Sequence, residues 1–223
     1  MNIYDYKGFA LQRKNIGYYE EQTIISSAVL NKIPFKIFQD AKGIPKDLVP
    51  VGDCPFVQDV IGRSIIPNYY PKSLEKYLKR EIWFSDKWPL GKKVFIKPSD
   101  KYKRFTGFVT SGTYKGKKKP PYVLSKVIKI KNEWRYYLGS NMVGFWYAGE
   151  DEEKVAPALV DLPKMEYNVG CLDMGETFDG DLVLIEWQHA FSCGWYGKGV
   201  SDGEKYAQWL IDGYREISYE RRK

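Results

Sequence analysis

Apolar positions change rhythm several times along the chain, and each rhythm predicts an element. Residues 20–31 (EEQTIISSAVLN) place apolar side chains at helical spacing. Residues 34–38 read as a short strand after a turn, and residues 49–60 hold another apolar run broken by Gly52, Asp53 and Pro55. Together these predict a short α/β unit over residues 1–66. Pro67, Asn68 and Pro71 supply turn chemistry. Ser73 then stands where a helix cap would, ahead of Leu74, Tyr77, Leu78 and Ile82 near one face, which predicts a helix over residues 74–84.

After Gly91 the period becomes that of strands. Residues 93–97 (KVFIK) and 105–109 read as strands, and the basic, glycine-containing stretch 110–121 lacks a core pattern and reads as a mobile loop. Residues 122–130 and 133–138 predict two strands joined by a tight turn at Lys131 and Asn132, with a further strand at 143–147. Residues 150–160 begin acidic and predict a helix. A strand at 168–174, an Asp-Gly turn at 178–181 and an apolar return strand at 182–186 form the clearest hairpin, before a last helix at 203–217.

Composition bounds these readings. The 223 residues are 43% hydrophobic and 28% charged, an ordinary globular balance. The net charge of +7 gathers around Lys101, Lys103 and Arg104, around Lys115, Lys117, Lys118 and Lys119, and at Arg221, Arg222 and Lys223. Such excess suits nucleotide phosphates, nucleic acid or an acidic substrate, or is simply a solvated surface. Cys54, Cys171 and Cys193 are odd in number and form no CxxC pair, so neither a disulfide framework nor a zinc site is expected. No apolar run reaches membrane-spanning length and no signal-peptide pattern opens the chain, which predicts a soluble protein of the reducing cytoplasm.

Within these elements, oxygen and nitrogen donors collect. Asp173 ends one hairpin strand, Glu186 ends the other, and Gln188 falls two residues on, on the same face of an extended chain. Two carboxylates and an amide carbonyl make a hard oxygen site suited to Mg²⁺ carrying phosphates; two unrelated surface acids beside a turn would share that spacing. Lys97 follows an apolar strand and Lys126 sits inside another apolar stretch, where an ammonium needs an anion or must reach for water. Arg135 can hold a phosphate through its fork, or pair with Glu133 on its own face. The single His189 adjoins Gln188 and reads as structural, since no partner is evident.

Residues 173–188 (DMGETFDGDLVLIEWQ) resemble the metal-binding hairpin of ATP-grasp enzymes, in which an Asp ends one strand and a Glu-x-Asn ends the next. Residues 94–98 (VFIKP) are similar to the strand bearing that family's first ATP lysine, and residues 105–109 with their loop resemble the hairpin that closes over the phosphates. Residues 124–128 (LSKVI) are placed like the family's adenine-contacting linker, and residues 133–135 like the strand that follows it. The order is most similar to a compact clade of ATP-grasp proteins common in phages and bacteria, over residues 50–200. The resemblance implies an α+β ATP-grasp fold: two α/β halves with antiparallel sheets clamping the nucleotide, preceded by the short N-terminal α/β unit. The ATP-grasp domain would then occupy residues 67–223, with a small lid half at about 85–121 and a large half at about 122–223.

The resemblance further implies an ATP-dependent carboxylate-amine ligase working through an acylphosphate. Lys97 and Arg135 would act on the transferring phosphoryl group; Lys97, Lys126, Val127, Ile128, Glu133 and Arg135 would bind ATP; Asp173, Glu186 and Gln188 would hold Mg²⁺. The resemblance leaves the acid and the amine open, with amino acids, peptides and proteins as candidates, and a phage-encoded copy would work in the host cytoplasm. Gln188 departs from the usual Asn by a methylene, and the N-terminal unit is shorter than a typical acceptor-binding domain. Two other readings compete: a nucleic-acid binder using its basic and aromatic surface, and an ATP-binding domain without turnover. No recognition-helix or zinc-finger motif supports the first. No GxxxxGK[ST] phosphate loop and no Lys-x-Asp-Gly ligase motif occurs.

Overall fold

A computed structural model of the chain describes residues 6–113, 116, 118–139, 143–152, 154–159, 162–197 and 200–220. The chain opens with β1 (Gly8–Gln12), α1 (Tyr19–Leu30), β2 (Phe35–Phe38), β3 (Leu48–Val51) and α2 (Cys54–Ile61). β1 lies between β2 and β3 in a parallel sheet and is buried throughout, as the central strand of such a sheet must be. Asp53 caps α2 by accepting the Phe56 N–H at 3.0 Å, and Gly62, at φ 67°, ends it in the left-handed region.

A second, antiparallel sheet holds β4 (Ile82–Ser85), β5 (Val94–Pro98), β6 (Phe108–Thr110) and β7 (Tyr122–Ser125), in the order β4-β7-β5-β6. It has a core of its own: Val94, Ile96, Tyr122 and Leu124, with Trp83, Trp88, Phe105 and Phe108 packed against them. β7 pairs with β4 and β5, so this strand belongs to the small half, and the crossing between halves falls at residues 126–129 rather than before 122.

The large antiparallel sheet is built from β8 (Ile130–Leu138), β9 (Val143–Gly149), β10 (Gly170–Thr177) and β11 (Leu182–His189), in the order β11-β10-β8-β9. The last helix is α3 (Val200–Glu220). Leu11, Ile24 and Val49 of the N-terminal unit share one continuous core with Trp134, Leu172, Leu184 and Trp209 of the large half. The first unit is thus welded to the large half, while the small sheet stands apart. Arg80, just before β4, joins them: its guanidinium donates to the Leu184 and Ile185 carbonyls at 2.6 and 3.2 Å. Those carbonyls lie at a β-bulge, because the β10–β11 register passes from Asp173↔Glu186 to Met174↔Leu184 and leaves Ile185 unpaired.

Several expectations need correction. Residues 74–84 are not one helix. A 3₁₀ turn covers Lys72–Tyr77, Ser73 provides no cap, and Trp83 and Phe84 are drawn into β4 by pairing with Leu124 and Val123. Lys131 and Asn132 form no turn, since β8 runs straight through them. Asn132 is fully buried there because its amide holds the Asp151 and Glu176 carboxylates at 2.9 and 2.8 Å. The described part of 150–160 is not helical. Its carbonyls at Lys154 and Pro157 accept from Trp134 Nε1 and the Tyr136 hydroxyl, at 2.9 and 2.8 Å, across the back of the large sheet. The strand expected at 105–109 begins only at Phe108. Cys171 and Cys193 are joined as a disulfide and Cys54 is free, a pairing that the odd count concealed. The loop expected at 110–121 lies partly outside the described residues, at 114, 115 and 117, as does the basic terminus 221–223. Among the described residues no helix is long and apolar enough to cross a membrane.

Candidate functional site

β10 runs between β8 and β11, and its register decides which side chains meet. Asp173 stands opposite Arg135 on one neighbour and Glu186 on the other; Cys171 stands opposite Tyr137 and Gln188, and Gly175 opposite Glu133. Side chains alternate across a sheet, so Glu133, Arg135, Asp173, Glu186 and Gln188 share one face. The other face carries Trp134, Leu172, Met174 and Trp187 into the core. Alternation in β8, β10 and β11 therefore separates chemistry from packing.

Arg135 grips Asp173 with both arms of its fork, Nε to Oδ1 at 2.7 Å and Nη2 to Oδ2 at 2.6 Å. Both residues are buried, and the Tyr196 ring lies 4.4 Å from the guanidinium carbon. Burial works against the Arg135 cation, but the Asp173 hydrogen bonds and charge outweigh it and raise its pKa. Burial pushes the Asp173 carboxyl up, against the pull of Arg135. The expected alternative, an Arg135–Glu133 pair, is displaced by this clamp. Glu133 is left partly buried, and desolvation, then the Asp173 charge, push its carboxyl up to about 7.

The small sheet contributes cations from above. Lys97, at the end of β5, reaches Glu186 Oε2 with Nζ at 2.6 Å and lies 3.7 Å from the Tyr69 ring centroid. Lys103, in the loop after β5, donates to Gln188 Oε1 and, at 2.6 Å, to the Ser192 carbonyl. Gln188 Nε2 in turn donates to Glu186 Oε1. Burial disfavours ionised Glu186, but Lys97 and Lys103 more than offset it and hold its carboxyl below the usual range. Burial lowers the Lys103 pKa.

Six predicted residues thus meet in one cluster: Lys97, Glu133, Arg135, Asp173, Glu186 and Gln188. Lys126, Val127 and Ile128 do not join it. They lie on the connector between β7 and β8, where Lys126 is exposed and pairs with Glu81 at 3.2 Å. The expectation that Lys126 is a buried strand lysine fails because β7 ends at Ser125. In the sequence Lys103 is only part of a basic run, and Tyr69 and Tyr70 only part of a turn. No spacing marks them, because the loop brings Lys103 in through a left-handed φ of 46°. His189 points away from the cluster: its Nδ1 accepts the Phe191 N–H at 3.3 Å, and burial pushes its pKa down to about 3, leaving a neutral cap.

Asp173, Glu186 and Gln188, two carboxylates and an amide on this face, have the hardness that Mg²⁺ requires, and it commonly takes one or two carboxylates and completes its shell with phosphate oxygens and water. Glu186 and Gln188 offer oxygens to the cleft, now held by Lys97 and Lys103, whereas both Asp173 oxygens are engaged by Arg135. Among the described residues no three His, Cys, Asp or Glu side chains cluster as a closed metal cage. Beside the cluster lies a cavity of about 370 Å³, lined by Lys103, by α1 and by the β3–α2 turn.

A family model for an ATP-grasp domain, the second family of its clade, matches residues 77–208, more than half of the chain. No curated protein matches the sequence. Among solved structures, the N5-carboxyaminoimidazole synthetase of Staphylococcus aureus is similar at a TM-score of 0.50 and 10% identity, covering 98% of this chain and 79% of that one. D-cycloserine synthetase DcsG is similar at a TM-score of 0.50 and 11% identity, covering 93% of this chain and 99% of that one. At such identities the likeness is one of fold.

Proposed function

This chain belongs to the ATP-grasp domain family whose model it matches, and on that premise we propose that it is an ATP-dependent ligase joining a carboxylate to an amine. The observation that carries the reading is the cross-sheet row Arg135–Asp173–Glu186 with Lys97 and Lys103 brought onto it from the small half. Such a cluster is preorganised for a triphosphate, because phosphoryl transfer asks chiefly for positioning and neutralised charge.

In this reading the triphosphate enters between the two sheets. Lys97 turns from Glu186 to the phosphates, Lys103 supports it, and Arg135 stabilises charge on the transferring group. The backbone of Lys126, Val127 and Ile128 borders adenine, and Glu133 accepts from the ribose. Glu186 and Gln188 would hold Mg²⁺, joined by Asp173 once Arg135 turns to phosphate, and the bound ion would supply neutralisation of phosphate charge. A substrate carboxylate oxygen attacks the γ-phosphorus, the bond to the β-phosphate oxygen breaks, and ADP leaves. An amine then displaces phosphate from the acylphosphate, forming the C–N bond, and its surplus proton leaves with phosphate. The test mixes the protein with ATP, Mg²⁺ and pooled amino acids and peptides, and measures phosphate release and product mass. Amide products with stoichiometric phosphate are expected. Tight ATP binding with no product from any pool would favour a domain that binds without turnover.

A further inference from the structure

The cavity of about 370 Å³ beside the cluster is lined by charges of both signs. Lys103 lines it, in contact with Gln188 and the Ser192 carbonyl. Glu20 and Glu21, at the start of α1, line it too, together with Asp53, whose carboxylate is paired with Lys14. Glu21 is 4% exposed and its side-chain partner is the neutral Asn15; among the described residues neither Glu20 nor Glu21 has a lysine or arginine against it. Glu20 also lies close to the reaction centre. A Cβ on Gly194 would run into its carboxylate, and the Gly194 carbonyl accepts from Arg135 Nη1 at 3.3 Å and from the Tyr137 hydroxyl at 2.6 Å. Glycine at 194 is what allows that approach. Gly194 thus places Glu20 beside a carbonyl that Arg135 holds, and Lys103 ties the cavity lining to Gln188.

We propose that this cavity holds the acceptor amine of the ligation, with the ammonium of a primary amine seated between Glu20 and Glu21 and the acyl group reaching it past Lys103. The assignment rests on the ligase reading. A buried carboxylate without a cation, as Glu21 is, is costly in a folded protein, and an incoming ammonium relieves that cost while a carboxylate ligand would add to it. Glu21 then takes one proton from the ammonium. The freed lone pair forms the C–N bond, the C–O bond to phosphate breaks, and phosphate leaves with the second proton. A carboxyl that desolvation, above all, pushes up to about 7 suits a proton acceptor of that kind. The volume fits a small amine or the end of a side chain, with the rest of a larger acceptor outside.

Calorimetry with glycinamide and n-propylammonium as probes, acetamide and propionate as controls, tests this. Titrations run with and without Mg-ADP. Both amines are expected to bind saturably and both controls to stay silent. Glu21→Gln and Glu20→Gln are each expected to weaken amine binding by about tenfold, with Mg-ADP affinity unchanged. Glu20 is only partly buried, so Glu20→Gln carries the test even if Glu21→Gln fails to fold. Equal amine binding in the wild type and a folded variant, propionate binding in place of the amines, or no amine binding by protein that binds Mg-ADP overturns the proposal. Amine binding lost in the variants, in a protein that never binds Mg-ADP, would instead overturn the ligase reading and leave the amine pocket standing.

Discussion

Glu186 is the residue on which the site turns, since it faces Lys97 directly and, through Gln188, Lys103. Glu186→Gln keeps the shape of the side chain and removes its charge. ATP-dependent phosphate release is expected to fall by roughly a thousandfold, because charge stabilisation by a bound metal contributes several kcal/mol to such transition states. Melting curves should show the variant folded, and full activity in a folded variant would remove the central assignment. Gln188→Asn, which restores the amide usual in the family, is expected to retain most activity in the same assay. The carboxylates were legible because strand ends and a turn fixed their spacing. Lys103 was not, because a lysine in a basic run looks the same whether a loop folds it inward or leaves it in water. Lys126 misled in the opposite way, as apolar neighbours on both sides suggested a strand that stops one residue short.

At the scale of elements, α1 carries a pH dependence. Glu21 is pushed up from 4.5 to about 7, chiefly by burial. Between those values the folded chain holds a proton that the unfolded chain has released, so stability is highest at the acid side and falls as pH rises, by at most about 1.4 kcal/mol per unit. Glu21→Gln should flatten that slope and be more stable at pH 8 by about 2 kcal/mol, measured by urea unfolding across pH. An unaltered slope would mean that other groups dominate. β8 carries a packing prediction: Trp134 is wholly buried and its Nε1 bonds the Lys154 carbonyl. Trp134→Ala should cost about 3–5 kcal/mol in the same assay. Strands paired through a short turn, such as β10 and β11, were legible from period alone. Asn132 shows where period fails: a polar residue satisfied by distant Asp151 and Glu176 is indistinguishable in sequence from one in a turn. Trp83 and Phe84 fit a helical stripe until their strand partners, Leu124 and Val123 far along the chain, are known.

For the whole molecule, a ligand that binds only the folded state raises stability by mass action, about 2.7 kcal/mol at a hundredfold excess over Kd. Thermal melts in rising Mg-ATP should follow that law, and a flat melting temperature through millimolar concentrations would contradict nucleotide binding. The unit 1–66 was legible as α/β, but its fusion with the large half was not, since a shared core depends on contacts that no local pattern contains. The separate core of the small sheet has a mechanical consequence. That sheet meets the rest where Arg80 holds the bulge carbonyls and the 126–129 connector crosses, and again through Lys97 and the loop after β5, in which Lys103 reaches Gln188 and Lys101 bonds Gln58 and Ser64. One of these attachments rests on backbone carbonyls, the other on a single ion pair and polar contacts. Salt that screens charge is expected to weaken the Lys97–Glu186 contact more than the Arg80 hydrogen bonds to backbone carbonyls.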